Sequence, residues 1–131
     1  MIRFLLIVVL FVFAWELLWW TLGVAPLSPW RLKRMLSQGV NPPILLDVRT
    51  AFEYNWMHIE GAIHRPHALT DSVRKELKEA DRPVVVICFS GHRSPIMGYL
   101  LMRKGLRNVS YLSWGMLSWY LSGGPVIRGA G

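Results

Sequence analysis

The chain has a single cysteine, Cys88. One cysteine excludes an intramolecular disulfide and any Cys-rich zinc site. Acidic residues are also scarce, eight against fifteen lysines and arginines, which leaves a formal net charge of +7. That balance favours anionic substrates. The basic residues are scattered and no basic-aromatic motif joins them, so nucleic acid is not an expected partner. His58, His64, His67 and His92 have no carboxylate cluster beside them, and Pro66 breaks any helix through His64 and His67. Neither a metal nor a cofactor is expected. There is no internal repeat and no low-complexity tract, and 131 residues leave room for one domain of ordinary size.

Charge of either sign is missing from Phe4 to Trp15 (FLLIVVLFVFAW). The apolar run resumes after Glu16 and reaches Val24. As a helix, Ile2 to Val24 would span roughly 35 Å at about 1.5 Å per residue, enough to cross a bilayer. A cleaved signal peptide is the competing reading, with Arg3 as its positive start. Yet Pro26 directly after Gly23-Val24-Ala25 suits a cleavage site poorly, and the apolar stretch exceeds the usual signal core. A retained, single-pass anchor over residues 1–25 is therefore expected, followed by a domain over 26–131. Trp15, Trp19, Trp20 and Trp30 suit the headgroup level. Glu16 is the misfit and is expected to lie at the interface, with a helix–helix contact or proton site as the alternative. Arg3 and Glu16 cancel, so the whole net charge belongs to the domain, which would be drawn to anionic membrane lipid. Basic residues after the span favour the cytoplasmic side for the domain, while the signal-like start favours the outside. The anchor also offers a route to a dimer.

Past the anchor, Ser28 and Pro29 read as the cap and first position of a helix that Gly39 ends. Ile44 to Val48 reads as a strand buried on both faces. Thr50 caps a short helix to Trp56. Ile63 sits in another short strand, and Leu69 to Ala80 is an amphipathic helix capped by Thr70 or Asp71. Val84 to Cys88 is a second buried strand. Ser94 and Pro95 read as the cap and first position of a helix to Lys104. Asn108 to Leu112 is a last short strand, Trp114-Gly115 opens a final helix, and the tail from Gly123 reads as loose. Apolar strands alternating with helices predict an α/β domain with a central, mostly parallel sheet flanked by helices. In such sheets ligands sit at the carboxyl ends of the strands.

Cys88-Phe89-Ser90-Gly91-His92-Arg93-Ser94 lies at such an end. A loop closing onto a helix start turns backbone N–H groups toward one point. The helix dipole adds partial positive charge and Arg93 adds a full one. All three favour thiolate over thiol. Gly91 permits the backbone angles of a tight cradle. Ser94 is placed to cap the helix or to donate to the sulfur. His92 is read either as added charge or as a loop histidine facing solvent. Asp47 and Arg49 follow a buried strand and are expected to brace neighbouring loops.

At these residues the chain resembles the rhodanese family. Leu45-Leu46-Asp47-Val48-Arg49 looks like its LLDVR strand. Phe52-Glu53-Tyr54, His58-Ile59 and Gly61-Ala62 look like its EY…GHIPGA segment. Cys88 to Ser94 looks like its CxxGxRS loop. Gly105, Asn108-Val109 and Trp114-Gly115 match its closing pattern, and the resemblance runs over about residues 28–125. There are departures: Met57 replaces a glycine, Glu60 a proline, and Pro95 a small helix former. Trp114 stands where glycine is common and is expected to reshape the pocket rim.

The resemblance implies a rhodanese-like fold and sulfur transfer. Cys88 would be the nucleophile and pick up the outer sulfur of a small anionic donor such as thiosulfate. An acceptor thiol, a thiol protein or cyanide would then take it. Arg93 would act beside Cys88 in catalysis, and Phe89, Ser90, Gly91, His92 and Ser94 would bind substrate. Two alternatives stand beside this. Rhodanese-like modules also serve as non-catalytic binding or regulatory domains, although those often lose the cysteine. Related phosphatases of the cell-cycle dual-specificity type have a loop one residue longer between cysteine and arginine than the four residues here.

Overall fold

A computed structural model describes residues 1–39 and 41–129. The order is α1 (Ile2–Thr21), β1 (Ala25–Leu27), α2 (Pro29–Gln38), β2 (Ile44–Asp47), α3 (Ala51–Trp56), β3 (Ile63–His64), α4 (Asp71–Ala80), β4 (Val84–Ile87), α5 (Arg93–Arg103), β5 (Val109–Leu112) and α6 (Gly115–Leu121). The caps sit where the sequence puts them for three helices. Ser28, Thr50 and Thr70 each accept a backbone N–H from the first turn, and Thr50 and Glu53 close a reciprocal capping box.

The strands line up as β1-β5-β4-β2-β3. Every pairing is parallel, not merely most of them. Parallel strands need crossovers, and the helices supply them on both faces. Alternate residues of β2 and β4 therefore feed two cores. Ile44, Leu46, Val84 and Val86 face Leu77 of α4 and Leu101 of α5. Leu45, Val85 and Ile87 face Leu32 of α2, Tyr54 of α3 and Trp119 of α6. Fully burying one such apolar side chain contributes about 1.5–3 kcal/mol.

Three expectations need correction. β1 was not foreseen: it is three residues long with a proline in the middle, tolerated because this edge strand pairs with β5 alone. The tail is not loose as far as Gly129. Trp119 Nε1 donates to Pro125 O at 2.8 Å, and His58 and Ile127 exchange backbone hydrogen bonds in an antiparallel bridge. The helix after Cys88 starts at Arg93, not Pro95, with His92 as its cap residue. Proline in the first helical turn still lacks only an N–H that has no intrahelical partner, so both placements suit it.

α1 is the one helix among the described residues long and apolar enough to cross a membrane, with a mean hydropathy of 2.3. Its last turns pack on the domain. Trp19 is buried in the core beside Val24, with Trp15 packed against it. Glu16 is not at large in an apolar phase. Ser113 Oγ donates to one of its carboxylate oxygens at 2.8 Å and Tyr111 Oη to the other at 3.1 Å. Burial first, and then the Glu16 charge, push the Tyr111 hydroxyl well above its ordinary range.

Candidate active site

β4 ends at Ile87, so Cys88 is the first residue beyond the sheet, and it is fully buried. The chain bends through Phe89 to His92 and enters α5 at once. Gly91 N–H donates to Cys88 Sγ at 2.9 Å. The thiol in turn lies 3.4 Å from Ser94 Oγ, which accepts its hydrogen bond. In a thiolate the direction reverses and the Ser94 hydroxyl donates. Ser94 thus points its side chain at the sulfur from inside α5 rather than capping the helix.

Two glycines allow this close fold. Gly91 has φ +81°, and a Cβ there would come within 2.5 Å of Trp114 N. Gly115 has φ +59°, and a Cβ there would run into Cys88 O. The start of α6 needs this closeness, because Met116 N–H donates to Cys88 O and Leu117 N–H to Phe89 O, each at 2.9 Å. The carbonyls of the loop are thereby tied down on one side while the N–H of Gly91 serves the sulfur on the other.

Aromatic rings pack on the loop residues Phe89 and His92. Phe89 stacks on Trp56 at 6.2 Å between centroids. His92 lies 5.5 Å from both Trp15 of α1 and Trp114. Its Nδ1 is 3.0 Å from Ser90 Oγ. His92 is exposed to solvent, as one reading foresaw, but its ring is held between two tryptophans. Trp114 itself adopts the left-handed conformation with φ +60°, where glycine is easiest.

Two charged pairs flank the loop. Asp47 and Arg49 are both fully buried and form a two-pronged pair, with Arg49 Nη2 2.8 Å from Asp47 Oδ2. Arg49 Nη2 also donates to Met57 O at 2.6 Å, so the pair ties the end of β2 to the end of α3. His64 joins it through a 2.7 Å hydrogen bond to Arg49 O. Arg93 pairs its guanidinium with Glu53. Nη2 donates to Glu53 Oε2 at 2.9 Å and Nη1 to Oε1 at 3.3 Å. The bond to Glu53 holds Arg93 above its ordinary range, and a charge on Cys88 adds a smaller share. Burial pushes the Glu53 carboxyl up, but hydrogen bonds from Arg93 and Thr50 outweigh it and leave it below the ordinary 4.5. Glu53 lay in a motif quoted from the sequence, but nothing local signalled that it would meet Arg93 forty residues away.

The comparisons with known proteins agree with this fold. A family model described as Rhodanese-like domain matches residues 28–122. The putative sulfur carrier protein YrkF of Bacillus subtilis is 35% identical over 75 residues, which are 57% of this chain and 40% of that protein. The chain therefore spans less than half the length of that relative. The thiosulfate sulfurtransferase GlpE of Haemophilus influenzae is 28% identical over 93 residues, 71% of this chain and 85% of that protein. The crystal structure of the Alr3790 protein from Anabaena sp. superposes with a TM-score of 0.70 at 30% identity, covering 78% of this chain and 80% of that one. With a five-stranded parallel sheet, a cysteine loop at its carboxyl end and a family match over most of its length, the chain belongs to the rhodanese-like domain family.

Proposed function

We propose that this chain is a membrane-tethered sulfurtransferase that carries sulfane sulfur on Cys88. The observation that carries the reading is the backbone N–H of Gly91 aimed at a buried Cys88 Sγ, directly ahead of a helix N-terminus. The Cys88 thiolate attacks the outer sulfur of thiosulfate. The sulfur–sulfur bond of the donor breaks, and sulfite leaves with the electron pair. Cys88 then carries a persulfide, whose negative charge the Gly91 N–H, the Ser94 hydroxyl and the start of α5 stabilise. An acceptor thiolate, or cyanide, attacks the terminal sulfur and releases the Cys88 thiolate. Arg93 binds the donor's oxygens after turning away from Glu53. Half its side chain is exposed, so that turn needs no unpacking of the core. Phe89, Ser90 and His92 form the rim over which donor and acceptor arrive. Asp47 and Arg49 brace the loop without touching substrate.

The tether is α1, with the domain on the cytoplasmic side. Its support is the apolar composition of α1, which Tyr111 of β5 and Ser113 just after it join to the domain through Glu16. The Arg93–Glu53 pair favours a second reading, a binding module that holds an anion without turning it over. One experiment separates them. The full chain in detergent is assayed for thiosulfate-to-cyanide transfer beside Cys88→Ser. Turnover lost in the variant is expected. Absence of turnover in the folded wild type contradicts the enzyme and favours the module.

A further inference from the structure

The direction of α1 relative to the catalytic end carries a consequence for where the site works. α1 and α5 touch at three levels. Trp15 meets His92, Trp19 meets Tyr99, and Gly23 abuts Met102. Numbers rise together, so the two helices run the same way. α5 starts at the carboxyl end of the sheet, and the apolar run of α1 therefore continues outward past that end. Ile7, Val8, Phe11 and Val12 line a cleft with His92 and Trp114, the residues next to the Cys88 loop. No linker intervenes, because Glu16 at the foot of the run is bonded to Tyr111 and Ser113.

The carboxyl end carries a second, independent feature. α2, α3, α4, α5 and α6 each follow a parallel strand and so begin there. The first turns of α2, α3, α5 and α6 each expose a large apolar side chain, Trp30, Phe52, Ile96 and Leu117, whereas that of α4 exposes Asp71 and Ser72. Phe52 is 80% exposed and Trp30 64%. The opposite end is different. Lys78, Arg82 and Arg107 line a polar cleft there, with Arg103 and Lys104 exposed nearby. Isolated exposed apolar groups need no explanation, but four of them at the starts of four helices on one end do. Charge at the apolar end is partly neutralised by the Arg93–Glu53 pair, and Arg31 is placed for lipid phosphates.

We infer that the end of the domain bearing Cys88 rests on the bilayer, with Trp30, Phe52 and Leu117 at the headgroup–hydrocarbon boundary. The inference rests on reading α1 as a membrane anchor. The occupant is lipid, because the one candidate span among the described residues leaves the domain at this face, beside His92 and Trp114. Donor and acceptor then reach Cys88 along the headgroup layer, which suits an acceptor thiol that is itself membrane-resident. The basic end points away from the membrane.

The test uses the full chain with Cys88→Ser, reconstituted into phosphatidylcholine–phosphatidylglycerol nanodiscs. Phe11→Cys, Trp30→Cys, Phe52→Cys, Leu117→Cys and Arg107→Cys are introduced singly and spin-labelled. Collision with oxygen, which concentrates in lipid, is compared with collision with a water-soluble nickel chelate. Oxygen is expected to dominate at 11, 30, 52 and 117 and nickel at 107. Nickel dominance at any of 30, 52 or 117, with oxygen dominant at 11, overturns the inference while the anchor stands, and leaves that face free for a protein partner. Nickel dominance at 11 removes the anchor reading and the inference with it.

Discussion

Two arginine–carboxylate pairs stand beside the same loop and are held in opposite ways. Asp47 and Arg49 are buried to zero exposure, and Arg49 also grips Met57 O. Glu53 and Arg93 remain 22% and 50% exposed. A buried pair cannot let go without leaving a bare charge in the core, which is expensive. A surface pair exchanges its partner for water at small cost. The first is therefore a brace. The second is free to rearrange, which is what the proposed binding of an anionic donor by Arg93 requires.

The sharpest way to break this comparison is to remove one carboxylate from each pair. Asp47→Ala is expected to lower stability by about 3–5 kcal/mol, the cost of stranding a buried partner. Denaturant unfolding measures it, and a loss as small as that of an exposed pair would end the distinction. Arg93→Ala comes next. It leaves the fold intact but weakens donor binding by about 1.5–3 kcal/mol, the worth of hydrogen bonds to a charged group. A thiosulfate titration of initial rates reads this as a raised KM, with unfolding unchanged. Glu53→Gln has a smaller effect of opposite sign on binding. The amide keeps the capping role toward Thr50 but frees Arg93, so KM for the anion falls while stability drops by only about 0.2–1 kcal/mol.

The smallest effect is that of pH. Glu53 has its folded pKa below its ordinary 4.5, with burial opposing and the Arg93 and Thr50 bonds prevailing. The unfolded chain then binds the proton more readily. The pair's contribution is complete above about 4.5 and is lost as pH falls through the lower folded value. Unfolding midpoints of wild type and Glu53→Gln are expected to differ at neutral pH and to converge on acidification.

The comparison also marks how far the sequence could be read. The Cys88 loop, the buried β2 and β4, and the α2, α3 and α4 caps were legible, because each depends on neighbours a few residues apart. The pairing of Asp47 with Arg49 was legible for the same reason: they are two residues apart at the end of a buried strand. The partner of Arg93 was not, since Glu53 is forty residues away and contact depends on how α3 crosses the sheet. Glu16 was harder still. It was expected at a membrane interface on composition alone, yet its hydrogen-bond donors lie in and just after β5, 95 and 97 residues on. β1 was hidden by its brevity and by Pro26, and only the edge of β5 gives it a reason to form.

The most direct measurement is the intact mass of the full chain after thiosulfate treatment and removal of excess donor. Sulfur carriage on Cys88 predicts a gain of one sulfur atom, located at Cys88, discharged by cyanide and absent from Cys88→Ser. An unchanged mass in folded wild-type protein, or an equal gain in Cys88→Ser, would contradict it.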